Sequence, residues 1–318
     1  MKKVLVLGKI HSSGLKFLKD LSYQVDELSD QDDSYKEKLN IYDALIVKMT
    51  KVDSEFINLS KNLQIIARHG VGYNNVDINI INEKKIPLFI IGDVNSTPVS
   101  EHTIALILNL AKKINYYDSQ VRLDNFNVRN TFQSRDLSSK KILIYGYGRI
   151  GKKVAQLCKF FNMEVYIYDK FLSLDKIPNT FKAVKNIEEN LDIFDFITLH
   201  IPYNNSGRSL IDKSFLNKLS KECSIINTSR GDLINENDLL DHLKKNKNFN
   251  AGLDVFDPEP PSKNNELLKL DNVVLTPHSA AYTEECLAEM SMYCAKNIND
   301  FFNNKMNKSL LVNKDIYF

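Results

Sequence analysis

The chain has 318 residues, more than one hydrophobic core usually serves, so two domains are expected. Composition is globular, with 43% hydrophobic and 26% charged residues, and the formal charge of +2 comes with scattered lysines. That balance argues against a nucleic-acid partner, whose binders gather Lys and Arg on one face; Lys140-Lys141 and Lys244-Lys245 read as solvated edges. The cysteines Cys158, Cys223, Cys286 and Cys294 show neither C-x-x-C nor ligand spacing, so they read as buried thiols of a reducing, cytoplasmic protein with no metal site. No apolar run reaches the roughly 18 residues of a membrane span. The opening run to Gly8 is too short for a signal core and reads as a first strand.

Short apolar runs then alternate with amphipathic segments. Strands are expected at Val4–Leu7, Tyr23–Leu28, Ala44–Val47, Leu63–Ala67 and Leu88–Ile91, with helical stretches at 34–39, 53–60 and 77–84. This rhythm predicts a parallel sheet covered on both faces. A long helix follows from about Pro98 to Ile114, apolar around much of its circumference and so expected to be buried. The rhythm restarts with strand Lys141–Tyr145, helix 151–162, and strands Glu164–Tyr168, Phe194–Leu199, Ser224–Asn227, Ala251–Val255 and Asn272–Leu275. A last helix, about 283–303, carries Leu287, Met290, Cys294 and Ile298 at helical spacing, and Leu310-Leu311-Val312 is expected to return to the first sheet. The expectation is two α/β units, residues 1–96 with 284–318, and residues 97–283 inserted between them.

Gly146-Tyr147-Gly148-Arg149-Ile150-Gly151 is a G-x-G-x-x-G run between the apolar strand Ile142-Leu143-Ile144 and a helix with Val154, Leu157, Cys158 and Phe161 on one face. Asp169 ends the next strand, 18 residues after Gly151. Strand, glycines, helix and acid together are the context a dinucleotide site needs. Gly146 permits a tight turn, Gly148 lets backbone approach a pyrophosphate, and Gly151 lets helix and strand pack closely. The helix N-terminus offers free N–H groups to the phosphates. Asp169 accepts from a ribose 2′-hydroxyl and repels a 2′-phosphate, which favours NAD over NADP, although Lys170 stands beside it. By contrast Gly8 to Gly14 lacks the middle glycine and is assigned no phosphate. In open parallel sheets ligands bind beyond the carboxyl ends of the strands. Gly146, Asp169, His200-Ile201-Pro202, Thr228-Ser229-Arg230, Asp254 and Thr276-Pro277-His278 all fall there.

Those strand ends also hold the groups that oxidation or reduction at C2 of a small anionic acid requires. Arg230 is the cation for the carboxylate, since a guanidinium pairs with it bidentately and stays charged. His278 is the proton carrier. Glu259, in Asp257-Pro258-Glu259-Pro260-Pro261, is an acid that favours a protonated ring beside it. Of the other histidines, His242 reads as exposed on a polar helix, His102 as structural, and His11 as a loop residue with no evident partner. His200 is placed to line the nicotinamide pocket and His69 to contact substrate.

Over nearly its whole length the chain resembles the D-isomer-specific 2-hydroxyacid dehydrogenases. The resemblance rests on Ala67-Arg68-His69-Gly70-Val71-Gly72-Tyr73-Asn74-Asn75-Val76-Asp77, Val99-Ser100-Glu101-His102, Gly146–Gly151, His200-Ile201-Pro202, Asn227-Thr228-Ser229-Arg230-Gly231, Leu253–Pro260 and Thr276-Pro277-His278. It implies a Rossmann dinucleotide-binding domain inserted into a flavodoxin-like α/β substrate domain, with NAD as cofactor and Arg230, Glu259 and His278 as catalytic residues. It also implies Asp254 near the nicotinamide carboxamide, backbone N–H groups of His69, Gly70, Val71 and Gly72 on the substrate carboxylate, Asn95 before the long helix, and a homodimer formed through the cofactor domain. Two positions depart from the family pattern: Lys48 stands where Arg is usual, and Gly207, next to Ser206, where Thr or Ser is usual. Formate dehydrogenases of the family carry Gln in place of the acid, so Glu259 argues against formate.

The Arg68 segment looks like that of phosphoglycerate dehydrogenases, with Arg68, Lys48 and Arg129 as candidates to receive a phosphate. The chain ends at Phe318 and is expected to lack the regulatory domain of longer phosphoglycerate enzymes. Glyoxylate or hydroxypyruvate reduction is the alternative substrate assignment. The alternative from another class is a dinucleotide-sensing module resembling the corepressors built on this fold.

Overall fold

A computed structural model describes residues 1–31, 33–131, 133–202 and 208–316. The chain divides into two compact units, Met1–Asn95 with Tyr282–Phe318, and Ser96–Ala281. In the first, β1 (Lys3–Leu7), β2 (Gln24–Leu28), β3 (Ala44–Val47), β4 (Ile65–Arg68) and β5 (Leu88–Phe89) form a parallel sheet in the order β2-β1-β3-β4-β5. This is the flavodoxin-like order. β3 is buried at every position, as expected of a parallel strand covered on both faces. Helices α1 (Ser12–Asp20), α2 (Ser54–Leu59) and α3 (Ile78–Glu83) connect the strands. Asp53 caps α2 by accepting from Phe56 N, and Asp77 caps α3 by accepting from Asn79 N and Ile80 N; such caps are each worth about 1 kcal/mol.

The second unit opens with α4 (Ser96–Lys112) and α5 (Ile114–Arg122). Strands β6 (Lys141–Tyr145), β7 (Glu164–Tyr168), β8 (Lys182–Ala183), β9 (Phe196–Leu199), β10 (Ser224–Asn227), β11 (Asn250–Leu253) and β12 (Val273–Leu275) form a parallel sheet. Its order is β12-β11-β10-β9-β6-β7-β8, the doubly wound arrangement of a Rossmann domain. Helices α6 (Arg149–Phe160), α7 (Lys213–Leu216) and α8 (Glu236–Lys245) belong to the same unit. Alternation along the strands divides the interior into two cores. Ile142, Ile144, Phe196 and Ile226 pack with Ile107 and Leu110 of α4 and Val154 and Cys158 of α6. Leu143, Ile197, Leu199 and Ile225 pack on the other face with Leu239 and Leu243 of α8.

The chain then returns to the first unit through α9 (Glu284–Phe302), whose Cys286, Met290, Cys294 and Ile298 are buried; Leu287 is only half-buried. Gly14 of α1 lies against this helix, and a Cβ there would sit 2.3 Å from Ser291 O. Leu310-Leu311-Val312 joins the first sheet as expected, with Ile90 N donating to Leu310 O and Val312 N to Leu88 O, at 3.0 and 2.9 Å. Among the described residues no helix is long and apolar enough to cross a membrane.

Three local expectations need correction. The predicted helix to Ile114 breaks at Lys113, which takes a left-handed φ of 54°, and α5 starts anew behind it. The helical stretch at 34–39 is a 3-10 helix, Asp33–Ile41. The sheet of the second unit has a seventh strand, β8, too short to leave an apolar run in the sequence.

Candidate active site

The glycine loop has the shape of a dinucleotide cradle. Gly146 adopts a φ of 102°, where a Cβ would lie 2.6 Å from His200 O, and a Cβ on Gly151 would lie 2.0 Å from Gly146 O. At Gly148 a Cβ would meet nothing within 4 Å, so the backbone is open on that side. Gly148 caps α6 without a side-chain bond, which leaves the first N–H groups of the helix for an anion. Arg149 is exposed and Ile150 half-buried on the same turn. Asp169 at the end of β7 accepts from Tyr147 N at 2.8 Å and Phe171 N at 2.9 Å, so its carboxylate is held against the loop. Open backbone, an uncapped helix start and an acid fixed beside them fit NAD.

The neighbouring strand ends complete the crevice. The Thr198 hydroxyl bonds His200 Nε2 at 3.0 Å, and burial pushes that ring's pKa down to about 3, so it is neutral. Ile201 O accepts from the Ser229 hydroxyl, and Thr228 pairs with Thr103 of α4 at 3.0 Å. Pro202 is exposed; Ser206 and Gly207 lie outside the described residues.

Glu259 and His278, 19 residues apart in the chain, meet with Oε2 and Nδ1 at 2.7 Å. Glu259 Oε1 accepts from Phe256 N at 2.9 Å. Burial pushes the Glu259 carboxyl up, but the His278 ring, the Phe256 N–H and the Arg230 charge outweigh it and leave the pKa below the usual value. The Arg230 guanidinium is itself drawn from water; burial lowers its pKa against the upward pull of Glu259 and Asp232. One of its nitrogens donates to Ser229 O at 2.6 Å. The structure therefore brings together the cation, acid and imidazole expected from sequence.

Their turns are tightly held. Asn227, at the end of β10, donates to Arg230 O at 2.7 Å and accepts from Ser229 N at 3.0 Å, pinning the arginine turn from both sides. A Cβ on Gly231 would lie 2.0 Å from both Phe256 C and O, so only glycine lets this turn abut the backbone that leads to Glu259. His278 has a φ of 51°, a left-handed conformation uncommon outside glycine. Its N–H donates to Asp254 O at 2.7 Å. The fully buried Asp254 carboxylate accepts from the Thr276 hydroxyl, Ser279 N and Ala280 N at 2.6, 2.8 and 3.0 Å. His102 of α4 bonds the same Thr276 hydroxyl at 3.0 Å. Three of the roughly four acceptor positions of a carboxylate are thus engaged inside the protein, and Asp254 has an architectural duty that the sequence did not suggest.

The candidates of the first unit surround the ends of β3 and β4. His69 is buried, and burial with the nearby Lys48 and Arg68 charges pushes its pKa down to about 3. Arg68 donates to His69 O at 2.7 Å and lies so close over Gly70 that a Cβ would meet its Nη1 at 1.5 Å. Lys48 donates to Lys9 O at 3.1 Å, with its ammonium 5.1 Å from the Tyr282 ring centre. Asn75 ties the two loops by donating to Lys48 O and Thr50 O, while Val71, Gly72 and Asn95 are half-buried. In the second unit Arg129 lies over the Phe126 ring at 5.0 Å.

Two histidine readings change. His242 is buried, because its ring packs edge-on against Phe249 at 4.6 Å. His11 has partners, Ser13 at 2.9 Å and Glu284 at 2.8 Å. Asn227 was missed as a site residue, although a polar residue closing the apolar strand Ser224–Asn227 just before Arg230 was a usable signal.

Residues 104–280 match the family described as D-isomer specific 2-hydroxyacid dehydrogenase, NAD binding domain. A D-3-phosphoglycerate dehydrogenase of Archaeoglobus fulgidus is 38% identical over 258 residues, 81% of this chain and 49% of that protein, so the chain spans about half its length. A glyoxylate reductase of Thermococcus litoralis is 31% identical, covering 99% of this chain and 97% of its own. A crystal structure of Aquifex aeolicus D-lactate dehydrogenase complexed with NAD and lactic acid superposes with a TM-score of 0.86 at 26% identity, over 97% and 98% of the two chains. The cofactor of the second unit is NAD, and the chain belongs to the D-isomer specific 2-hydroxyacid dehydrogenase family.

Proposed function

We propose that the chain is an NAD-dependent dehydrogenase of D-2-hydroxy acids that also reduces the matching 2-keto acids. The observation that carries this reading is the 2.7 Å contact of Glu259 with His278, at the same edge of the sheet as the Gly146–Gly151 loop. A carboxylate at Nδ1 keeps a proton on that nitrogen, so Nε2 is the atom that gives its proton to the C2 oxygen in reduction and takes it back in oxidation. Glu259 balances the imidazolium before the transfer. Arg230 pairs with the substrate carboxylate, and its removal from water strengthens that pairing. A bound nicotinamide would take the C2 hydride of the hydroxy acid when oxidised and return one to the keto acid when reduced.

Two assignments of the substrate stand, a phosphorylated acid such as 3-phosphoglycerate and a small one such as glyoxylate or hydroxypyruvate. Lys48 and Arg68 favour the first, being close enough to His69 to lower its pKa. The backbone of His69, Gly70, Val71 and Gly72, with Asn95, supplies candidate contacts for either. The test is oxidation of NADH and NADPH in parallel over glyoxylate, hydroxypyruvate, phosphohydroxypyruvate, pyruvate and bulkier keto acids. Turnover with at least one acid is expected, and about 100-fold less with NADPH, since Asp169 sets like charge against a 2′-phosphate. Tight NADH binding with no turnover across the panel would point to a dinucleotide sensor instead.

We also propose a homodimer formed through α5, and a cytoplasmic location for which the four free, buried thiols are the support. No residue of α5 is buried, yet Ile114, Val121, Leu123 and Phe126 on or just beyond it are 53%, 53%, 74% and 63% exposed. Apolar groups gathered in this way mark an interface. Sedimentation should find a dimer, and Leu123→Asp with Phe126→Asp should leave monomers; a monomeric parent protein would remove the proposal.

A further inference from the structure

Glu259 rides on an irregular connection that is also held from outside itself. Between Leu253 at the end of β11 and the 3-10 turn Glu266–Lys269, the described residues form neither strand nor helix. Pro258, Pro260 and Pro261 restrict the backbone there, but none has an N–H to donate. Glu236, the first residue of α8, reaches this segment at both ends. Its Oε1 accepts from Asp257 N at 2.9 Å and its Oε2 from Asn265 Nδ2 at 2.8 Å. The Asn265 amide has no freedom to turn round, because its Oδ1 accepts from Leu267 N at 3.0 Å. Asp257 adjoins Phe256, whose N–H binds Glu259 Oε1, so the anchor passes to the acid through one peptide unit.

Acids are favoured in the first turn of any helix. Asp238 occupies the same turn, but its carboxylate accepts from Lys213 N instead. The helix field explains a negative charge near this end of α8. It does not explain two bonds to opposite ends of the segment that carries Glu259.

We infer that Glu236 is a positioning residue for the Glu259–His278 pair, bracing the loop that keeps the carboxylate on the imidazole. The inference rests on the reading of His278 as proton carrier. Glu236 touches neither substrate nor cofactor, so its loss should act on the proton-transfer step and leave binding alone. Misplacing a catalytic group by about 1 Å costs up to about 100-fold in rate.

The experiment compares E236A, E236Q and N265A with the parent enzyme in keto-acid reduction across pH. E236A should lower kcat by about 10- to 100-fold while KM moves less than about threefold. The pH profile of reductive turnover should also change, because the carboxylate is no longer held against Nδ1 of the ring. E236Q still accepts from Asp257 N but sets its own NH2 against that of Asn265, so it should fall between. N265A removes one of the two bonds without touching α8, and should show a smaller effect of the same kind, which keeps the test decisive if E236A fails to fold. NADH affinity by fluorescence should match the parent in all three. Parental kcat and pH profile in folded E236A, or an equal loss of NADH affinity, would overturn the inference; so would a parental pH profile in N265A where E236A cannot be prepared. Full turnover in H278A would overturn the underlying reading and this inference with it.

Discussion

Replacing His278 with alanine is expected to cut keto-acid reduction by about 10²- to 10⁴-fold, the span usual for loss of a positioned acid. NADH should bind the variant as it binds the parent, since the Gly146–Gly151 turn and Asp169, the candidate cofactor contacts, follow β6 and β7 whereas His278 follows β12. The expectation follows from geometry: Glu259 occupies Nδ1 at 2.7 Å, and alanine leaves no group in that place to move a proton. Rapid-mixing measurement of NADH oxidation separates this loss of chemistry from a loss of binding. Undiminished turnover in the variant would take His278 out of the mechanism.

Arg230→Ala should be nearly as damaging, through the substrate rather than the proton. Removing one partner of a buried, hydrogen-bonded charge pair costs about 2–5 kcal/mol, or about 30-fold and more in kcat/KM. Arg230→Lys restores charge but not the planar fork, so it should recover only part of the loss. The same variants carry a pH signature. Arg230 is among the groups that hold Glu259 below the usual carboxylate value. Without it Glu259 takes up its proton at higher pH, so the acid side of the activity profile should move upward in Arg230→Ala and less in Arg230→Lys. A parental kcat/KM in Arg230→Ala would exclude it from carboxylate recognition.

Much of this was legible from residues alone, for identifiable reasons. Parallel strands such as Ala44–Val47 and Lys141–Tyr145 are buried on both faces, so they stand out as apolar runs. Ligands gather beyond the carboxyl ends of such strands, which made Arg230, Asp169 and His278 visible as candidates before any contact was known. What stayed hidden depends on partners distant in sequence. Nothing in Lys112-Lys113-Ile114 announces a break, since no glycine or proline marks it, and Lys113 takes its left-handed turn where its ammonium can reach Asn250 Oδ1 at 2.5 Å. His242 reads as polar until Phe249 covers it. Glu236 looks like any other acid until the backbone N–H it receives is seen, and the bonds that Asp254 accepts from Ser279 N and Ala280 N are equally invisible in the sequence.

The carboxylate buried under the His278 turn has a consequence for turnover. Its three bonds to Thr276, Ser279 and Ala280, with the fourth from His278 N to the Asp254 carbonyl, set an unfavourable backbone angle when the chain folds. The entropy of aiming the ring is therefore lost once, at folding, and does not recur with each catalytic cycle. On the proposed role of His278, substrate arrives at a base already aimed, and the free energy of its docking remains available for the transition state.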